Sequence, residues 1–149
     1  MNTNLLEKVT WSDCKIYVPP VEHGKVIKCY DGDSITVATV LPGSAQVYRF
    51  SVRLTGIDTP EMRSKNENEK WAAKFVQKKL EYLLLDKFVS LKDVQLDKYG
   101  RLLANVFLDE VNINEWLLDN NYAVPYEGGT KKPPENWKNL FHKFKVKVT

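Results

Sequence analysis

The apolar residues of this chain change their spacing near residue 60. Between Lys25 and Thr55 they alternate with polar residues in three runs, which are separated by Asp31-Gly32-Asp33 and by Pro42-Gly43-Ser44. Alternation at a period of two is typical of strands with one buried face, and both separators are rich in turn-forming residues. An Asp-Gly pair also supplies the positive φ that hairpin turns need. The pattern predicts three antiparallel strands in a meander.

Beyond Pro60 the spacing becomes that of a helix. A helix is predicted from Asn68 to Leu84, and its lysines are interpreted as a solvated face. The apolar residues that share its other face are Ala72, Phe75, Val76, Leu80 and Leu83. Val89 to Leu96 and Leu102 to Leu108 then alternate again and predict a second hairpin.

Two shorter helices are predicted near the C-terminal end. Asn112 followed by Glu115 resembles a helix N-cap with its reciprocal acid, in a helix that ends near Asn120-Asn121. Pro133-Pro134 suits the start of a last helix. Its large apolar side chains recur at helical spacing and are expected to pack on the domain; they are Trp137, Leu140, Phe141 and Phe144.

This order of elements predicts an α+β fold. Three hairpin-linked strands, a helix, two strands and further helices are typical of a five-stranded Greek-key β-barrel of the OB-fold type, here with about three helices. A chain of 149 residues is long enough for one compact domain. We expect an N-terminal arm over residues 1–24 and a single barrel domain over residues 25–149, including a basic C-terminal helix.

Basic charge is concentrated at the C-terminal end. Residues 128–149 hold six lysines (Lys131, Lys132, Lys138, Lys143, Lys145 and Lys147) and one acid, whereas the rest of the chain has a slight acidic excess. Lysines that neutralise phosphates favour a polyanionic partner, but a solvated tail explains the charge equally well.

Cysteine and histidine usage argues against zinc, because His23 and His142 are isolated. Cys29 lies in a strand-like run and is interpreted as a small buried residue, although a disulfide with Cys14 stays open. Residues 1–22 lack the apolar core of a signal peptide, and no stretch approaches membrane-spanning length. An intracellular protein is the simplest interpretation, but a signal removed earlier would leave the same sequence, so the compartment is unknown.

Carboxylates and arginines stand together in short, turn-like settings: Asp33, Arg53, Asp58, Glu61 and Arg101. Hard divalent cations prefer carboxylate and carbonyl oxygens, a metal-bound water is an activated nucleophile, and an arginine fork matches two phosphate oxygens. The combination suits metal-assisted cleavage of a phosphodiester. Each motif is weak alone, since an Asp-Gly-Asp turn is usually just a turn and an acid can merely favour a helix N-terminus.

Three motifs taken together are more specific. Asp31–Ser34, Val52–Glu61 and Asp97–Arg101, at these separations and in this predicted topology, closely resemble the staphylococcal nuclease (thermonuclease-like) family over roughly residues 25–126. The resemblance implies a calcium-dependent hydrolase that cleaves DNA and RNA with little sequence specificity and leaves 3′-phosphate ends. Single-stranded nucleic acid is the expected preferred substrate, and a monomer is expected.

The resemblance also implies roles for the charged residues. Asp33 and Asp58 resemble the calcium-ligating carboxylates, with the backbone carbonyl of Thr59 as a further ligand. Glu61 resembles the residue that orients or deprotonates the attacking water, and which of these it does stays open. Arg53 and Arg101 resemble the phosphate-binding pair. We expect both arginines to be exposed, so that alanine at either position would slow cleavage with little loss of stability.

Three residues are expected to touch the substrate. Lys98 and Tyr99 match family positions that contact a terminal phosphate of the bound nucleotide. Tyr126 is a candidate for stacking on a base, although a half-buried tyrosine at the barrel rim is nearly as good an interpretation. The loop from Met62 to Glu67 is shorter than in secreted members of the family, and the basic C-terminal helix is either an added substrate-binding element or plain packing.

A different class of function competes with the enzyme. Nuclease-like barrels also serve as catalytically silent modules that bind nucleic acid or protein, and binding of another phosphorylated ligand is a third possibility. Silent modules typically lose carboxylates or arginines from the site, whereas this chain keeps them. The sequence therefore favours the enzyme.

Overall fold

The computed structural model describes residues 3–142. Its α-helices are α1 Thr3–Leu6, α2 Glu67–Leu84, α3 Ile113–Asp119 and α4 Trp137–Phe141. Its strands are β1 His23–Asp31, β2 Ser34–Val40, β3 Val47–Leu54, β4 Ile57–Asp58, β5 Phe88–Leu96, β6 Leu102–Leu108, β7 Val111–Asn112 and β8 Val124–Pro125. Lys143, Phe144, Lys145 and Lys147, on which part of the C-terminal helix prediction rests, lie outside the described residues. No helix in residues 3–142 combines the length and the apolar composition that a membrane crossing requires.

Five long strands close into a barrel. β1 pairs with β2 and with β5, β2 pairs with β3, and β5 pairs with β6, all antiparallel. A parallel pairing of β3 with β6 closes the ring. The predicted α+β fold with a five-stranded OB-type barrel is confirmed. The described part of the chain holds four helices where about three were expected, because α1 is a single exposed turn without an apolar period.

Alternate side chains of the strands fill the barrel. Val26, Val37, Val52 and Leu54 have no exposed surface, and burying each such side chain contributes roughly 1.5–3 kcal/mol. Cys29 is buried beside them as predicted, its thiol and that of Cys14 are free, and burial raises the pKa of Cys29 to about 12.

Helix α2 packs against β1 and the core of the barrel. It begins after Asn66, whose side chain accepts hydrogen bonds from the backbone of Asn68 and Glu69, so that two free amides of the first turn are satisfied. On the predicted apolar face, Ala72, Val76 and Leu80 are fully buried, while Phe75 and Leu83 are partly buried against the core. The predicted helix and its buried face are confirmed.

Helix α3 fastens the point where the barrel closes. The predicted N-cap is confirmed, because the side chain of Asn112 accepts a hydrogen bond from the Glu115 backbone, whereas the reciprocal bond expected for the Glu115 side chain is not formed among the described residues. The buried Asn114 side chain accepts from Val106 N at 3.1 Å and donates to Thr55 O at 2.9 Å. Since Thr55 follows β3 and Val106 lies on β6, this amide ties the two strands that close the ring.

The start predicted for the last helix is wrong. Helix α4 begins at Trp137 instead of Pro133-Pro134, and the side chain of Asn136 caps it by accepting from Asn139 N. Asn136 has an extended backbone, with φ of −145° and ψ of 105°, so the helix starts only after it. The expected packing is confirmed for its described aromatic residues, because Trp137 is buried and Phe141 contacts the ring of Phe75.

Candidate active site

The turn between β1 and β2 places Asp33 at the rim of the barrel. Asp33 N donates to Asp31 Oδ1 at 3.1 Å, and Leu54 N donates to Asp33 O at 2.8 Å. The expected positive φ is wrong, because Gly32 does not adopt it. Glycine is needed here for space: a Cβ on Gly32 would lie 2.7 Å from Val76 Cγ1 and 3.0 Å from Thr59 Cβ.

Arg53 lies on the face of β3 opposite the core. Its neighbours Val52 and Leu54 are fully buried, and its own side chain is only 11% exposed. Nη2 lies 3.3 Å from Asp33 Oδ2 and 3.8 Å from Asp58 Oδ1. The expectation of an exposed Arg53 is wrong, because the guanidinium is enclosed between these two carboxylates.

Asp58 is held in place by a short pair of strands. β4 pairs with β8, so that Asp58 lies opposite Val124, and both Asp58 and Thr59 are 3% exposed. Burial raises the pKa of Asp58, against the opposing effect of the Lys131 ammonium. Within residues 3–142, its buried Oδ1 has no hydrogen-bond partner. The Lys131 ammonium lies 3.2 Å away, but outside hydrogen-bond geometry.

Lys131, predicted only as part of the basic C-terminal segment, lies in the site. Its Nζ donates to Glu61 Oε1 at 2.9 Å and lies beside Asp58. Burial acts to lower the pKa of Lys131, but the hydrogen bond to Glu61 and the charge of Asp58 outweigh it and raise the pKa. The one sequence signal for this contact is the Gly128-Gly129 pair, which lets the chain turn back toward the barrel.

Arg101 approaches the site from the β5–β6 hairpin. Asp97 Oδ1 accepts from the backbone of Tyr99 and Arg101, and its Oδ2 accepts from Arg101 Nε at 2.7 Å. Burial acts to raise the pKa of Asp97, but the hydrogen bonds from Arg101 outweigh it and lower the pKa. The Arg101 side chain remains 36% exposed, as expected for an accessible cation.

One cavity of about 720 Å³ brings most of the predicted residues together. Its walls include Asp33, Arg53, Asp58, Thr59, Glu61 and Arg101, together with the unpredicted Lys131. A smaller cavity of about 230 Å³ shares Asp58, Thr59, Glu61 and Lys131.

The residues predicted to contact the substrate lie outside the walls of the larger cavity. Tyr99 is 73% exposed, and Arg101 lies over its ring at 5.7 Å, with Lys98 on the same turn. Tyr126 is partly buried at the rim, and its ring lies 5.6 Å from the Arg53 guanidinium. The aromatic rings therefore flank the two arginines at the cavity's edge.

The acidic side of the cavity has the chemistry of an incomplete cation site. Among residues 3–142, no three His, Cys, Asp or Glu side chains form a ready metal-binding set. Two buried carboxylates nevertheless converge on Arg53, and Asp58 has an unsatisfied oxygen. Burial and the neighbouring Asp33 also raise the pKa of Asp31 to about 7. Such oxygens suit a hard cation that keeps several of its waters.

A comparison with family models matches residues 51–145, more than half of the chain, to the family described as Staphylococcal nuclease homologue. The chain belongs to this family. The resemblance found in the sequence motifs is confirmed. The match includes Arg53, Asp58, Glu61 and Arg101 of this staphylococcal nuclease homologue, whereas Asp33 precedes it and reaches the same cavity through the β1–β2 turn.

Relatives of this staphylococcal nuclease homologue come from distant organisms. An "uncharacterized endonuclease" of Escherichia coli O157:H7 is 32% identical over 106 residues, 70% of this chain and 61% of the relative. An uncharacterized protein of Methanocaldococcus jannaschii is 29% identical over 153 residues, 84% of this chain and 71% of the relative. "Probable endonuclease LCL3" of Komagataella phaffii is 26% identical over 149 residues, 85% of this chain and 65% of the relative. The chain thus spans only 61% of the length of the Escherichia coli relative.

Proposed function

We propose that this chain is a calcium-dependent nuclease that hydrolyses phosphodiester bonds of DNA and RNA with little sequence specificity and leaves 3′-phosphate ends. The observation that carries the proposal is the convergence of two buried carboxylates, Glu61 and two arginines on one cavity. Membership of the staphylococcal nuclease homologue family supports it, as do the endonuclease names of the Escherichia coli and Komagataella relatives.

Asp33 and Asp58, with the backbone carbonyl of Thr59, would hold the calcium ion. The surroundings of Asp58 Oδ1 support this assignment, because this buried oxygen accepts no hydrogen bond from the described residues and is balanced only by ion pairs with Lys131 and Arg53, so that a bound cation would stabilise it further. A bound divalent cation lowers the pKa of a coordinated water and offsets negative charge on a phosphate.

The two arginines would stabilise the phosphate as it gains charge. Attack on a phosphodiester creates a five-coordinate dianionic species, so donors must already face the place where that charge grows. Arg101 suits this task, because of its side-chain nitrogens only Nε is hydrogen-bonded within the described residues, to Asp97, and the two terminal nitrogens donate no hydrogen bond there. Arg53 would meet the phosphate from the opposite, carboxylate-lined side, with its orientation fixed by Asp33 and Leu54 O.

Glu61 would act on the attacking water. Its side chain is 52% exposed and lines the cavity, so water reaches it freely. A carboxylate in this position orients the water or accepts its proton. Its present hydrogen bond to Lys131 holds Oε1 at the cavity edge.

Substrate binding would be tolerant of sequence. The exposed ring of Tyr99, beside Lys98 and Arg101, and the rim ring of Tyr126 combine aromatic faces with cations. Stacking plus backbone electrostatics is the usual way in which proteins hold single strands without reading bases. We therefore propose a preference for single-stranded DNA and RNA, bound by a monomer.

The test is a cleavage matrix of metal against substrate. Single-stranded and double-stranded DNA and RNA are incubated with calcium, magnesium, manganese or chelator, and the product ends are determined. We expect calcium-dependent cleavage that leaves 3′-phosphates and is fastest on single strands. Equal cleavage in chelator would contradict the metal mechanism, and tight oligonucleotide binding without cleavage in millimolar calcium would indicate a silent binding module.

A further inference from the structure

Lys131 reaches the cavity on a segment that is tied to the strand carrying Asp58. β8 pairs with β4, and Tyr126 N extends this pairing by donating to Gly56 O at 2.9 Å. The chain then turns through Gly128 and Gly129, both with positive φ, and the Tyr126 hydroxyl donates to Gly129 O at 2.7 Å. These contacts position the ammonium of Lys131 beside Asp58 and Glu61.

The contacts of Lys131 are with the acids on which the proposed cation chemistry depends. Nζ lies 3.2 Å from Asp58 Oδ1 and 2.9 Å from Glu61 Oε1. A calcium ion on Asp58 would share that carboxylate with the ammonium, and two positive charges a few ångströms apart repel each other strongly in a partly buried site. Full occupancy of the same oxygen by both cations is therefore unfavourable.

Lys131 also has room to leave. Its side chain is 40% exposed, and it lines both the larger cavity and the smaller one. The smaller cavity is lined by Glu69 as well, so a displaced ammonium would meet another carboxylate there. The lysine can move without being left in an apolar environment.

We propose that Lys131 is an internal competitor of the calcium ion. In the ion-free protein its ammonium forms ion pairs with Asp58 and Glu61; when calcium binds, the ammonium gives up Asp58. The inference rests on the calcium site of the proposed function. It has two consequences of opposite sign, because removing the ammonium strengthens calcium binding and weakens the ion-free fold. A lysine that merely packs the loop would produce only the second.

The test uses Lys131→Met in the full chain, with calcium affinity measured by titration calorimetry and thermal unfolding measured in chelator. We expect calcium to bind about tenfold more tightly, within the usual range of coupling between two ligands of one protein. The unfolding midpoint in chelator should fall by roughly 2–4 °C. Lys131→Arg keeps the cation and should stay close to wild type in both measurements.

Lys132→Met is the matched control, because it removes the same charge from the adjacent exposed residue, which has no ion pair in the described part of the chain. It should change neither quantity. Equal or weaker calcium binding by Lys131→Met would overturn the inference and leave the nuclease proposal to its own cleavage test. Absence of calcium binding in wild type and Lys131→Met alike would overturn the inference together with the calcium part of the proposed function.

Discussion

Arg53 and Arg101 line the same cavity, but they are held there in different ways. The side chain of Arg53 is 11% exposed and pairs with Asp33, which lies in the β1–β2 turn, 20 residues earlier in the chain. The side chain of Arg101 is 36% exposed and pairs with Asp97, four residues earlier in the same hairpin. The first arginine belongs to the charge balance of the fold, because two buried carboxylates depend on it. Arg101 is more exposed and has a partner in its own hairpin, so its substitution should impair activity with little effect on stability.

The largest effect is expected for Arg53→Ala. It should slow cleavage by roughly 10²–10³-fold through loss of a preorganised donor. Because Asp33 and Asp58 would lose their shared cation, the free energy of unfolding should also fall by about 3 kcal/mol. Cleavage rates and urea unfolding measure the two effects. Arg49→Ala, at an exposed position of the same strand, is the control and should change neither. An Arg53→Ala protein as stable as wild type would show that Asp33 and Asp58 do not depend on Arg53.

Arg101→Ala should resemble Arg53→Ala in rate but not in stability. A similar loss of roughly 10²–10³-fold in cleavage is expected from the missing phosphate donor. The free energy of unfolding should change by less than about 1 kcal/mol, since the Arg101 side chain is 36% exposed and ion pairs of exposed side chains contribute little. The same two assays apply. Unchanged turnover would remove Arg101 from the mechanism. A large loss of stability would show that the fold depends on Arg101 as much as on Arg53.

Gly32→Ala tests whether the buried half of the site depends on close packing. The added methyl would press on Val76 and Thr59, and such overpacking costs roughly 1–3 kcal/mol. Displacement of Asp33 should also weaken calcium binding, which calorimetry measures. Gly43→Ala is the control: its φ of +78° makes alanine strained, but nothing surrounds its Cβ, so stability should fall while calcium binding is kept. Equal calcium binding in both variants would show that Gly32 does not position Asp33.

The smallest effect concerns the Asp97 partner of Arg101. Asp97→Asn should lower the free energy of unfolding by about 1 kcal/mol near neutral pH, through weaker hydrogen bonds to Arg101 and Tyr99. The folded pKa of Asp97 lies below its usual value of 3.8. Its contribution is therefore fully present above that value and is lost as the pH falls through the folded pKa. Unfolding curves of both proteins should converge at strongly acidic pH; a constant difference would refute the assignment.

The elements that the sequence predicted are those with a local signal. Alternation gave the five barrel strands, and helical spacing gave the buried face of α2, because both patterns record which side of an element meets the core. The cap of α3 was equally local, since Asn112 and Glu115 lie within one turn. The convergence of Asp33, Arg53 and Arg101 followed from motif order and was found by resemblance to a family.

The features that sequence reasoning missed depend on contacts distant in the chain. Lys131 meets Glu61 across 70 positions, and Asn114 meets Thr55 across 59. Neither contact produces a pattern in the spacing of residues along the sequence. The turn motif predicts a positive φ at Gly32, but glycine is needed there for space. The clash of an added Cβ with Val76 depends on how α2 packs, and the sequence around Gly32 does not indicate it. Arg53 is enclosed by Asp33 and Asp58. These acids are not its neighbours in the sequence, and only the folded barrel brings them to it.

Locating the bound ion tests the proposed calcium site most directly. A crystal soaked in calcium, with anomalous scattering from the ion or a heavier analogue, shows where the cation binds. The proposed calcium site predicts one ion with carboxylate oxygens of Asp33 and Asp58 at roughly 2.3–2.6 Å, in the cavity that Arg53 and Arg101 line. An ion bound elsewhere, or an empty cavity in a protein that still cleaves DNA, would contradict it.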